Sequence, residues 1–171
     1  MSRNGKLAIP VNPNPWHEIE DLYFKILELT YAKKQHARAM PHALRLLRLL
    51  EKLDPQCESL LGMASRCLIA ELDDDIEEAV RYRLMEIAGI KKLLDELDES
   101  TLEAIKIDHT DYSDRLDLLA LNYLDLKRYD DALAVLNESE AYCREHGIPF
   151  DGKDIRADVK KAMRRKPAAA R

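Results

Sequence analysis

Five histidines, three cysteines and a run of three aspartates are the residues of this chain that could hold a metal or move a proton. Their spacing limits what they can do. His17, His36, His42, His109 and His146 form neither an HExxH pair for zinc nor an ExxH pair that would turn inward as di-iron ligands. His109 lies between Asp108 and Asp111, a combination suited to proton transfer, but no nucleophile or second orienting group accompanies it. A helical ligand-sensing or enzymatic domain with its site near residues 98–112 is therefore kept as an alternative reading. His146 follows Glu145 where a helix should end, and a cation is favoured there by the helix dipole. Asp73-Asp74-Asp75 lacks the glycine and distal glutamate of a calcium loop, so it reads as a turn whose last member caps the next helix. Cys57, Cys67 and Cys143 are odd in number and lack a CxxC spacing, as expected of buried thiols in a reducing compartment. There is no glycine-rich phosphate loop and no GxSxG elbow. No catalytic, metal-binding or cofactor-binding residue is predicted, and the expectation is a protein that is not an enzyme.

The charge distribution points to binding instead. Residues 1–70 carry ten Lys/Arg against seven Asp/Glu, residues 71–151 nine against twenty-three, and residues 152–171 eight against two. The acidic middle disfavours nucleic acid as a partner, because phosphate affinity needs clustered positive charge. The basic end, with Lys160, Lys161, Arg164, Arg165 and Lys166, keeps a nucleic-acid-associated alternative open. Arg45, Arg48 and Lys52, with Arg38 nearby, fall near one helical stripe and form a basic patch. It could seat acidic side chains or a C-terminal carboxylate, or simply be a solvated face balancing the acidic half. No apolar run is long enough to span a bilayer and no secretory leader is seen, so the expected location is cytoplasmic with no membrane partner.

The elements that would position these residues are all helical. Leu, Ala and charged residues dominate, and β-branched runs are missing. Residues 1–14, rich in proline, read as an N-terminal arm, and Asn14-Pro15 as a helix start. Helices are predicted over about 15–34, with Leu29 to Tyr31 inward, and over about 41–53. The second opens on Pro41 and turns Ala43, Leu44, Leu46, Leu47, Leu49 and Leu50 inward. Further helices are expected over about 56–72 and 76–97, the latter with Leu84 inward and Gly89 at its middle. Ser100 or Thr101 could cap a short helix through Ile105, followed by a loop from Asp108 to Tyr112. Helices over 112–126 and 130–145 flank a Lys-Arg turn, Gly147 forms a left-handed cap with Pro149 beyond it, and a last helix covers 152–164. The expected organisation is one domain over 15–164 and a frayed basic tail over 165–171.

The stretch 113–143 resembles the tetratricopeptide repeat, a helical hairpin of about 34 residues. Leu119-Ala120-x-x-Tyr123 matches its first helix, Tyr129-Asp-Asp-Ala132 its turn and the small residue at the crossing, and Leu136 and Ser139 its second helix. Ile76-Glu-Glu-Ala79 repeats the turn, and Ala43, Leu47, Leu50 and Pro55 keep the second-helix spacing. Arg66 stands where the pattern has a leucine. The resemblance implies an all-α array of about three antiparallel hairpins in a right-handed stack, closed by a C-terminal capping helix. It implies a non-enzymatic adaptor or chaperone-like module that binds another protein or a peptide on its concave face. Tyr23, Lys34, Arg66, Leu68, Asn122 and Tyr123 are the candidate partner-binding residues on that face.

Overall fold

A computed structural model describes residues 14–165 of the chain; the expected arm over 1–13 and the tail beyond Arg165 lie outside the described residues. Among the described residues there are eight α-helices, one π-helical turn and no strand. No helix among them is long and apolar enough to cross a membrane. Where one domain was expected over 15–164, the chain divides into two compact units, Met1–Leu53 and Asp54–Arg171.

The first unit is a hairpin of α1 (Pro15–Leu27) and α2 (His36–Leu53). Asn14 caps α1 by accepting the Trp16 amide, and Pro15 sits at the first helical position, where its missing N–H costs nothing. Ile19, Leu22 and Ile26 are buried from α1, and Ala39, Ala43, Leu46 and Leu50 from α2. Two expectations fail here. The first helix does not run to Lys34: α1 ends at Leu27 and widens into a π turn, Glu28–Ala32, in which the Lys33 amide donates to the Glu28 carbonyl. Nor does Pro41 open α2. It lies inside the helix, where its ring leaves the Ala37 carbonyl without the usual amide donor.

The second unit holds α3 (Leu60–Leu72), α4 (Ile76–Glu96), α5 (Glu99–Ile105), α6 (His109–Asp125), α7 (Tyr129–His146) and α8 (Lys153–Arg165). α3 packs on α4, α4 on α6 and α6 on α7, while α8 lies on α7 and α6. Val80, Ile90, Leu116, Leu119, Leu136 and Val159 belong to one core drawn from α4, α6, α7 and α8. α3 starts four residues later than expected, because Asp54 holds residues 54–59 in a loop. Its carboxylate accepts the Glu58 amide at 2.8 Å and the Ser59 hydroxyl at 2.8 Å, and Ser59 in turn caps α3. A Cβ at Gly62 would stand 2.0 Å from the Asp54 carboxylate, so this loop and the first turn of α3 require glycine there. Asp75 caps α4 as expected, and Gly147 ends α7 with φ +68°.

Leu84 emerges exposed rather than inward. The opposite surprise is Asp117, buried on α6 with no hydrogen-bond partner for Oδ1 among the described residues. Burial pushes its carboxyl above the ordinary aspartate range; the Ser139 hydroxyl pulls back, and Asp114 and Asp151 add to the rise. Because the folded-state value is raised, the fold favours the neutral acid. That stability is complete below the ordinary aspartate range and is lost as pH climbs through the raised value. Asp117→Asn, uncharged throughout, should therefore melt above the parent at neutral pH and level with it in strong acid. A thermal scan at both conditions checks this, and an identical gap at both would discount it.

Candidate interaction surface

The predicted partner-binding residues separate by unit. Tyr23 and Lys34 remain at the surface of the first unit, with Tyr23 half-buried and Lys34 exposed in a left-handed conformation at φ +51°. Beside Tyr23 stands Phe24, its ring edge-on at 5.5 Å between centroids and 58% exposed. Seven residues on, Tyr31 is 57% exposed, although the sequence placed it inward. The π turn explains the change: the wider turn shifts the register of the side chains that follow, so Leu29 and Thr30 are buried and Tyr31 faces out. Between the two aromatics lies Glu28, which pairs with Lys33 at 2.6 Å and Lys25 at 3.1 Å. The hydrogen bond from Lys33, then that from Lys25, holds its carboxyl below the usual range. The carboxylate between the two rings is thus engaged by two lysines of its own neighbourhood.

The predicted basic patch is also exposed. Arg45, Arg48 and Lys52 lie on the outer side of α2, where Arg45 reaches back to pair with Glu18 of α1. Arg38 hydrogen-bonds to Gln35 at the start of the helix. Leu44, expected inside, lies among these cations at 51% exposure. Six inward positions out of eight were too many for one helical stripe, and Leu44 is the one fully turned out.

Arg66, Leu68, Asn122 and Tyr123 are buried, which corrects their placement on an open concave face. No residue of α3 is exposed. Arg66 donates to the Asp54 carbonyl at 2.6 Å and approaches its carboxylate at 3.6 Å. Burial raises the Asp54 carboxyl, but the amides of Glu58 and Ser59, the Ser59 hydroxyl and Arg66 outweigh it, and the net shift is downward. Asn122 donates to Glu71 at 2.9 Å, and the Arg128 guanidinium lies 4.6 Å over the Tyr123 ring. Glu71 also meets Arg83, which pairs with Glu86 at 2.7 Å, and Glu86 receives Arg115 at 2.6 Å. A line of alternating charges therefore runs from α3 through α4 to α6, and Asn122, expected on an open face, is one of its members. Beneath it, burial pushes the Cys67 thiol up, which keeps it protonated.

The expected short helix through Ile105 forms as α5, whereas residues 109–112, expected in a loop, are the first turn of α6. Asp98, rather than Ser100 or Thr101, caps α5, with both hydroxyls donating to it. Asp108 and Asp111 form a reciprocal capping box at the start of α6, and Asp108 is held below its usual range chiefly by the Thr110 hydroxyl. His109 stacks on His146 at 4.0 Å and lies 2.5 Å from the Tyr142 hydroxyl. Both carboxylates are engaged with the backbone, so this trio does not converge on a shared point. No group of three metal-ligating side chains occurs among the described residues.

Sequence reasoning passed over Phe24. Its signal was its position off the Ile19–Leu22–Ile26 stripe, since a residue outside the buried stripe of a helix is turned toward the surface. The chain matches no protein-family model, no curated protein and no solved structure.

Proposed function

We propose that the protein is a non-enzymatic binding module, an adaptor or chaperone-like holder of another protein or a peptide, acting in the cytoplasm. The observation that carries this reading is the pair of aromatic rings, Phe24 and Tyr31, more than half exposed on one helix and its π turn. Large aromatics cost free energy in water and dominate contact energies when a partner covers them. The binding surface is accordingly assigned to the outer side of α1 rather than to a concave groove. A tetratricopeptide-like stacking of the hairpins belongs to the same proposal. It is supported by the full burial of Ala79 and Ala132, the small residues at the expected helix crossings. A reducing compartment is supported by three buried, unpaired thiols, Cys57, Cys67 and Cys143.

The test is a quantitative affinity capture from lysate with the parent, with Phe24→Ser/Tyr31→Ser and with Leu84→Ser as a surface control. The double variant should lose at least about tenfold in recovery of the captured protein while its melting temperature stays within a degree or two of the parent. Recovery equal to that of the control would sink the assignment.

A further inference from the structure

The end of α8 and the turn that joins α6 to α7 enclose a cleft of about 530 Å3, a volume in the range of small-ligand sites. Val159, fully buried in the shared core, holds α8 in place along one wall. Leu124 and Tyr129, both half-buried, form an apolar side. Lys161 and Arg165 line the cleft one turn apart on α8, and Lys127 lines it from the turn, in a left-handed conformation at φ +59°. None of these three cations has an ion-pair partner among the described residues, whereas Arg66, Arg81, Arg83, Arg115, Arg128 and Arg156 of the same unit each pair with a carboxylate. Arg128, next to Lys127, is drawn aside by Asp131 at 2.7 Å and by the Tyr123 ring. Against the three cations the cleft has a single carboxylate among its lining residues, Asp158.

The geometry points to a binding site for a small phosphate-bearing anion, pyrophosphate or the diphosphate chain of a nucleotide. A phosphate chain carries several charges on adjacent groups, which answers cations that come from separate positions of the chain and line one concavity. The Arg165 guanidinium and the two ammonium groups are the donors that phosphate oxygens favour. Tyr129, on the apolar side, offers an aromatic surface to a nucleotide base. A nucleic acid would need an extended basic face, and residues 71–151, with nine Lys/Arg against twenty-three Asp/Glu, surround the cleft with the opposite sign. The site uses no residue of α1, so it and the partner surface proposed there can fail separately.

Isothermal titration of the full chain with sodium pyrophosphate and with ADP, in about 0.1 M sodium chloride, reads the site directly. Saturable binding is expected, with a Kd on the order of 0.1 mM, because solvent-exposed cations contribute modestly each. Lys127→Gln/Lys161→Gln/Arg165→Gln should weaken binding at least about tenfold with unchanged melting, since all three residues are exposed. Lys92→Gln/Lys160→Gln/Arg164→Gln removes the same charge from exposed positions that do not line the cleft, two of them on the same helix, and should bind within about threefold of the parent. Tighter binding of ADP than of pyrophosphate supports a nucleotide as the source of the phosphates, and equal binding supports the bare chain. No saturation by either probe up to about 10 mM overturns the inference, as does an equal loss in the two variants. A single-stranded oligonucleotide that binds the parent and is not displaced by excess pyrophosphate would assign these cations to nucleic acid and overturn it as well.

Discussion

Glu86→Ala, which removes a buried and paired charge, is expected to lower the melting temperature by about 10 °C. Glu86 is 2% exposed and is the anion shared by Arg83 and Arg115. Removing it leaves the Arg83 guanidinium buried with only Glu71, at 3.2 Å, to offset it. Breaking a buried pair from one side costs about 3–5 kcal/mol, because the remaining charge is neither solvated nor compensated. In a chain of this size each kcal/mol moves the midpoint by about 2–4 °C. Glu86→Gln, which keeps the shape and a hydrogen-bonding group, should fall between the parent and the alanine variant. Glu77→Ala, on the exposed side of α4, should melt with the parent, since its contact with Arg128 is at 3.9 Å and open to solvent. Thermal unfolding of the four proteins decides the matter, and an alanine variant no less stable than Glu77→Ala would show that the network contributes nothing.

The second large effect is expected at Ala132. This residue is fully buried in the core shared by α4, α6, α7 and α8, one turn before Leu136, which is equally buried. A leucine there adds three carbons to a packed crossing and should cost about 1–3 kcal/mol through displaced neighbours. Asp131→Ala, one residue earlier, removes only the exposed pair with Arg128 at 2.7 Å and should cost well under 1 kcal/mol. Urea denaturation of both variants separates the two cases. Equal midpoints would mean that α6 and α7 do not cross at Ala132.

Much of the helical skeleton was legible because its determinants are local. Asp75 before Ile76 and Gly147 after His146 announce a start and a stop within one turn of chain, and the structure uses both. α5 was anticipated from the same kind of signal, although Asp98 took the capping place from its neighbours. The errors lie where a local signal had more than one solution. Pro41 fits a first turn but was accommodated inside α2, and the apolar residues of α1 ran past the point where a π turn changes the register. The candidate surface was legible only in part, through Tyr23, Lys34 and the cations of α2. Phe24, Tyr31 and Leu44 lay outside it because hydropathy says that a residue avoids water, not how far the fold will cover it.

The sequence by itself determined that this is a chain of helices and where most of them begin and end. Those properties are set by interactions between residues three or four apart, which can be read along the chain. Only the tertiary structure decided that Arg66, Arg83, Glu86 and Asn122 are inside. Arg83 and Glu86 pair with each other three residues apart, but the groups that complete their network stand far along the chain, Arg115 twenty-nine residues from Glu86 and Asn122 fifty-one from Glu71. A charged residue off the apolar stripe looks the same in sequence whether it meets water or an opposite charge on another helix. Burial of such a residue is favourable only when that charge arrives at hydrogen-bond distance, and it is the packing of α3, α4 and α6 that brings it there.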